Sequence, residues 1–283
     1  MYKQLVFVAC LLTISAALGD HSFAQDKNNL KISGSKYVAF TLTDLAKAYM
    51  DEQPNASIKV EDSDPMEGFQ SFLKQSCDAL AVFGQLDQDE KAEAGEKGMI
   101  LTERIIGWGA IAIIAHPRNP VNELSIAQVK KIYSGEYKNW KQVNGPDLPI
   151  VAITRDEATS GTERLFRELV LDGSPVGQDT KRLLSYDVIR AVLNDPGAIA
   201  DARYTEAIRG RIKGMVKILG LQKDDSSPAV MPSAETLQNR TYVLSAPMAI
   251  YYDSKQYSGV LQAFTEFCSK RGLGERFAEF QSR

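Results

Sequence analysis

The stretch Val151–Phe166, VAITRDEATSGTERLF, decides how this chain is to be read. An apolar, β-branched run from Val151 to Thr154 ends in Arg155 and two acids, Asp156 and Glu157. Thr159, Ser160, Gly161 and Thr162 follow, just where Leu165, Phe166, Leu169 and Val170 begin to recur at helical spacing. The pattern predicts a strand that hands over to a helix at the Ser-Gly-Thr turn. A helix start leaves about four backbone N–H groups unpaired and carries roughly half a positive charge. The hydroxyls add rotatable donors, Gly161 admits a ligand to the backbone, and the planar fork of Arg155 suits a tetrahedral oxyanion. Together they read as an anion site with no catalytic base in view. A plainer reading stays open here: Thr159 or Ser160 merely caps the helix, and Arg155 pairs with Asp156 or Glu157.

Outward from this point the chain alternates strand-like and helix-like segments. NLKISGS reads as a strand, LTDLAKAYMDE as a helix with Leu42, Leu45, Ala46 and Tyr49 on one face, and SIKVED as a second strand. GFQSFLKQ is a short helix, DALAVFG a third strand, and DQDEKAEAGEKG a charged helix. This β-α-β-α-β order predicts a parallel sheet with helices on both faces. Ile105–Ala115 is an apolar run interrupted by Gly107 and Gly109. It reads either as a strand crossing between two lobes or as one long central strand. Beyond His116-Pro117 the pattern restarts, with Ser125 and Gln128 spaced as a capping box and Gly135 placed to end the helix. YDVIRAVLND is a helix, GAIADARY a strand, residues 221–240 a loop-rich stretch, TYVLSAPMAIYY a strand, and residues 257–280 an amphipathic helical segment.

The ends and the composition narrow the function class. Lys3 precedes an apolar stretch from Leu5 to Leu18, and Ser22 and Ala24 supply small residues at −3 and −1, so residues 1–24 read as a signal peptide. Fourteen residues fall short of the roughly 20 that a spanning helix needs. The expected product is an exported, periplasmic protein of 283 − 24 = 259 residues, enough for two lobes. A net charge of −3 gives no reason to expect nucleic acid as a partner. After cleavage His116 is the single histidine, so a nucleophilic triad or a histidine-rich metal site has little to work with, and no metal is expected. Cys77 and Cys268 remain, as a disulfide or as buried thiols.

The run LSIAQVKKIYSGEYKNWKQVNGPDLPIVAITRDEATSGTERLF, Leu124–Phe166, resembles the phosphate-binding proteins of ABC importers, members of the type II periplasmic solute-binding superfamily. A helix ending in a Tyr-x-Gly turn, Asn139-Trp140, a Gly-Pro-Asp turn, a strand, then Arg and Ser-Gly-Thr opening a helix occur in the family's order. The resemblance implies an α/β fold of two lobes, each a mixed sheet flanked by helices, joined by a hinge. By position the first lobe takes residues 25–112 and 241–283, and the second 113–240. It implies that Ser160, Gly161 and Thr162, with Thr159 beside them, hold phosphate or a similar oxyanion, that Arg155 is the charged partner, and that Ser35 and Lys36 contribute from the opposite lobe. Trp140 is expected to pack. Asp156 or Glu157 would accept the proton that distinguishes phosphate from sulfate. The partner would be the membrane permease of an ABC importer, or a sensor, with the binding protein itself a monomer, not an enzyme, and free of any cofactor.

Three departures accompany the resemblance. Four residues separate Arg155 from Ser160 where the family has three, which displaces Arg155 relative to the turn. Asp62, Asp64 and Glu67 occupy a loop that is glycine- and serine-rich in the family, and these acids would repel an anion if they faced the cleft. Val82-Phe83-Gly84 stands where the family offers a polar ligand contact. A second reading is therefore a divergent member without phosphate binding, acting as a structural or sensor-coupled partner.

Overall fold

The computed structural model describes residues 28–156, 160–208, 212–257 and 259–271. The signal-peptide reading of residues 1–24, and Glu157 and Thr159 in the loop, lie outside the described residues.

The first lobe is built by β1 (Asn29–Ser35), α1 (Lys36–Glu52), β2 (Ser57–Ser63), α2 (Pro65–Leu73), β3 (Ala79–Phe83) and α3 (Gln88–Glu96). The long strand β4 (Leu101–Ala115) leads into β5 (Glu123–Ser125), α4 (Ile126–Tyr133), β6 (Val151–Arg155), α5 (Gly161–Leu171) and β7 (Lys181–Leu183). They are followed by α6 (Ser185–Asn194), β8 (Ala198–Arg203), α7 (Tyr204–Ala207), β9 (Lys217–Ile218), β10 (Gly220–Gln222) and α8 (Ala234–Gln238). The chain then returns through β11 (Ser245–Asp253) and α9 (Gly259–Arg271).

Period-two alternation decides which side chains reach which face of the first sheet. Leu30 and Ile32 of β1 and Met248, Ile250 and Tyr252 of β11 join α1 and α9 in the main core. Leu80 and Tyr251 point the other way, into a second cluster with Phe69 and Phe72 of α2 and Ala94 of α3. Tyr49 of α1 meets Phe264 and Phe267 of α9 edge-on, so the C-terminal helix closes back on the start of the chain.

The strand order is β2-β1-β3-β11-β4-β8-β6-β7, with β9 also on β4. Both readings of the apolar run meet in β4. Its residues Leu101–Ala110 pair with β11, and Ile111–Ala115 pair with β8. Two sheets thus share one strand end to end rather than side by side. The returning chain runs beside this junction: Ile111 N–H donates to Leu244 O at 3.0 Å and the Tyr242 hydroxyl donates to Ile111 O at 2.9 Å. These two adjacent crossings join the two sheets.

In each sheet the first helix leaves a strand whose neighbours are reached by opposite windings. In the first lobe β1 lies between β2 and β3, all parallel. In the second β6 lies between β7 and β8, again parallel. Such switch points open a crevice at the strand C-terminal ends, where ligands of α/β proteins sit. The C-terminal ends of β1 and β6 are Ser35 and Arg155.

Several expectations away from the site find their answers here. Cys77 and Cys268 are both buried and not bonded to each other, packed in different apolar clusters, and burial pushes the Cys77 thiol up to about 11. His116 is buried in a turn, where its Nδ1 accepts the Arg118 N–H at 3.1 Å. Trp140 is wholly buried and donates from Nε1 to Gly197 O at 2.9 Å, a packing role. Ser125 and Gln128 form the reciprocal capping box of α4.

Candidate anion-binding site

Three helices begin around one small cavity between the lobes: α1 and α2 from the first, α5 from the second. Its walls include Ser35, Lys36 and Tyr37, Ser63 and Pro65, and Ser160, Gly161 and Thr162, around a narrow space of ≈ 10 Å³, room for about one water. Helices of 17, 9 and 11 residues direct their positive ends here. The Ser35 hydroxyl does not cap α1, so it is not consumed by its own helix. Ser160 caps α5, accepting the Glu163 N–H at 3.4 Å. Capping does not exhaust this hydroxyl, since an oxygen that accepts one bond still carries a proton to donate.

Two glycines make the approach possible. Gly34 has φ +149, and a Cβ there would lie 2.1 Å from Ala81 O, so only glycine lets β1 run this close to β3 before α1 begins. At Gly161 a Cβ would lie 3.3 Å from Pro65 Cγ and 3.7 Å from Ser35 Oγ. The two lobes are in near contact at this point, and a methyl group there would require Pro65 to give by a few tenths of an ångström.

The charged partners are arranged differently from what position along the chain implies. Arg155 is 1 % exposed and does not wall this cavity. Its Nη2 donates to Glu206 Oε2 at 2.5 Å, and its Nε lies 3.9 Å from Asp201 Oδ2. Arg203, at the end of β8, walls the cavity instead. Glu206, in the first turn of α7, accepts from Arg203 on its other oxygen, so one carboxylate holds two guanidinium groups. Burial works against ionising Glu206, but the guanidinium groups of Arg155 and Arg203 outweigh it and hold its carboxyl below the ordinary range. Burial pushes the Asp201 carboxyl up, and Arg155 opposes that only in part.

Lys36 stands at the rim, 3.3 Å from Asp64. Asp156 is half-buried beside β7, its N–H donating to Leu183 O at 3.1 Å, and it is not among the cavity walls. The acidic loop resolves by alternation. Ser63 and Pro65 face the cavity, while Asp62 and Glu67 are exposed and Asp64 pairs with Lys36. Val82 and Phe83 wall an adjoining apolar pocket with Phe69, Leu80 and Leu86.

A second lobe-to-lobe contact lies beyond that pocket. Arg164 of α5 donates from Nη1 to Glu90 Oε1 at 2.9 Å and from Nη2 to Gln85 O at 3.0 Å, reaching across the cleft to α3 and the loop before it. Neither Arg203 nor Arg164 was singled out by the sequence. Arg203 ends an alternating strand, Ala198–Arg203, where a charge at the C-terminal edge was the only available signal.

Two sheets that share one strand, with helix starts and a guanidinium converging between them, have the architecture of the type II solute-binding proteins. A family model described as "PBP superfamily domain" matches residues 21–271, and the chain belongs to this family. The phosphate-binding protein PstS of Staphylococcus epidermidis is 29% identical over 248 residues, 85% of this chain and 74% of that one. The Staphylococcus haemolyticus protein of the same name is 28% identical over 248 residues, covering 85% and 76%. Among solved structures, a Clostridium perfringens protein with bound phosphate, described as a candidate phosphate ABC transporter substrate-binding protein, is 25% identical. It superimposes with a TM-score of 0.73 over 90% of this chain and 98% of its own. An ABC-type phosphate transport receptor from Vibrio cholerae shares the fold, with 24% identity and a TM-score of 0.71 over 89% and 98%.

Proposed function

We propose that this chain is an exported solute-binding protein that captures inorganic phosphate, or a close oxyanion, between its lobes for an ABC importer. The observation that carries this reading is the small interlobe cavity at which three helix starts, three hydroxyl side chains of the two lobes' first helical turns and Arg203 converge. The named relatives support phosphate as the ion. Ser35, Ser160, Gly161 and Thr162 would hold its oxygens, Arg203 and Lys36 would supply charge, and Arg155 would act from behind through Glu206.

Phosphate is strongly hydrated, so burying it requires many donors to replace lost water. Hydrogen bonds to a charged group contribute roughly 1.5–3 kcal/mol each, so donors from both lobes are needed together. Because only the closed arrangement assembles them, the ion shifts the open–closed balance towards closure. The closed form is then the one that a permease recognises. In this reading residues 1–24 are removed on export, lobe one comprises residues 25–112 and 241–283, lobe two comprises 113–240, and the protein acts as a monomer without catalysis. Among the described residues no helix is long and apolar enough to cross a membrane, which fits a role outside it. The donors at the cavity and the named relatives disfavour the alternative of a member without an anion ligand.

Calorimetric titration of the purified protein with phosphate, arsenate and sulfate tests the reading. Phosphate and arsenate are expected to bind and sulfate to bind more weakly. No heat with any of the three would end the proposal.

A further inference from the structure

Gly109, one of the two glycines that interrupt the apolar run of β4, has a reason in the structure. A Cβ there would lie 2.5 Å from Cε1 of Tyr37 and 2.7 Å from its hydroxyl oxygen, so any side chain would displace this ring from the strand. Tyr37 follows Ser35 and Lys36 in the first turn of α1 and is 3 % exposed. Its ring stacks on Phe83, with centroids 4.0 Å apart and planes 10° from parallel. The same residue is a wall of the narrow anion cavity.

The hydroxyl reaches the step of β4 at which the strand changes sheets. Ala110 is the last residue paired with β11, and Ile111 is the first paired with β8, where it stands opposite Arg203. At Ala110 the Tyr37 hydroxyl accepts the backbone N–H at 3.0 Å and donates to the carbonyl at 3.3 Å. One side-chain oxygen thus takes both groups that a neighbouring strand would otherwise satisfy. Burial raises the phenol well above its ordinary value, so it stays neutral and serves as donor and acceptor together. The junction therefore lies behind the cavity, with one cavity wall, Tyr37, bonded to its first residue and another, Arg203, paired beside its second. The Ile111 carbonyl is held by a different hydroxyl, that of Tyr242, which is not among the cavity walls.

We infer that Tyr37 is a positioning residue for anion capture, tying the helix start of the first lobe to the strand junction, so that filling the cavity fixes the angle between the lobes. An ion held at Ser35 and the α1 start lies against this ring. Phe83 on its face and Gly109 at its edge leave the ring no space to yield, so a displacement is passed to Ala110. The inference rests on the anion-site reading above and adds the residue through which occupancy reaches the junction.

The test compares phosphate calorimetry and thermal melting of the wild type, Tyr37→Phe and Tyr242→Phe. Each substitution keeps the ring and removes a hydroxyl from one residue of the junction. Tyr37→Phe is expected to weaken phosphate at least about fivefold, the scale of one hydrogen bond lost from the bound state. Tyr242→Phe is expected to lower the melting temperature to a similar extent while leaving affinity within about twofold of wild type. Unchanged affinity in Tyr37→Phe overturns the inference and leaves the anion site standing. Equal affinity losses in both variants also overturn it, because a weakened junction alone would then account for them. Failure of the wild type to bind phosphate overturns the anion-site reading and this inference with it. Amide exchange of the wild type supplies a check that does not depend on the variants folding. Saturating phosphate should slow exchange at Ala110 by a larger factor than at Ile32 of β1, and equal factors overturn the inference.

Discussion

The two walls of the cleft are built from the same device and equipped differently. On each, a parallel strand at a switch point ends at a helix start: Ser35 before α1, Ser160 before α5. Behind the second wall stands a network of Arg155, Asp201, Arg203 and Glu206. Behind the first stand Phe69, Leu80 and Phe83, with Lys36 only at the rim. Charge is thus concentrated on one lobe, and the other serves as a lid of hydroxyls, N–H groups and apolar packing. On the proposed reading, the difference teaches that a site for an anion can be electrostatically one-sided if the opposite lobe offers dipoles, because helix starts attract an anion without carrying a net charge that must itself be neutralised.

The most disruptive way to test this asymmetry is to break the second wall's network. Glu206→Gln would leave two neighbouring guanidinium groups without their shared carboxylate, and breaking such pairs costs roughly 3 kcal/mol or more. Urea unfolding at neutral pH should register the loss. The sign of its pH dependence follows from the depressed carboxyl. Stability from ionised Glu206 is complete above its ordinary value of 4.5 and is lost as pH falls through the lower folded value, so the gap between variant and wild type should close in acid. A gap that persists unchanged below that range would remove the network from the account.

Next in size is the contrast between the two arginines. Arg203→Ala should weaken phosphate binding by roughly 10- to 150-fold, the equivalent of one charged hydrogen bond of about 1.5–3 kcal/mol. Its melting temperature should change little compared with that of Arg155→Ala, whose side chain is 1 % exposed and anchors Glu206. Equal affinity losses with equal destabilisation would show that the walls do not divide these roles.

A smaller effect is expected at the contact between the walls. Arg164 is partly exposed, so its ion pair with Glu90 is screened, and Arg164→Ala should cost about 1 kcal/mol of closure, or roughly fivefold in affinity. Small-angle scattering at limiting ligand should show a wider particle for the variant than for wild type. The smallest effect belongs to the acidic loop. Replacing Glu67 by glutamine should change phosphate affinity by less than about threefold, because its exposed charge is screened by solvent and salt. A large gain that fades with added salt would instead place this acid on the first wall.

The sequence by itself determined the longer elements and their order. Asn29–Ser35 and Val151–Arg155 are strands because β-branched and alternating apolar residues leave little choice, and α4 begins at Ser125 because Gln128 completes its cap. It also determined that Ser160, Gly161 and Thr162 open a helix, since that turn is a local matter of hydroxyls, glycine and the first helical residues. The tertiary structure decided everything that depends on which way an edge points. Short strands such as β7 and β9 exist only through their partners, Arg155 turns inward because Glu206, 51 residues away in sequence, holds it, and Arg203 reaches the cavity because β8 runs parallel to β6 and ends at the same edge. Asp62 and Ser63 were adjacent letters until the pairing of β2 with β1 sent one to solvent and the other to the site. Local propensity acts through neighbours a few residues apart, whereas a binding site is made by strand ends brought together from distant parts of the chain, and no periodicity within one segment records that meeting.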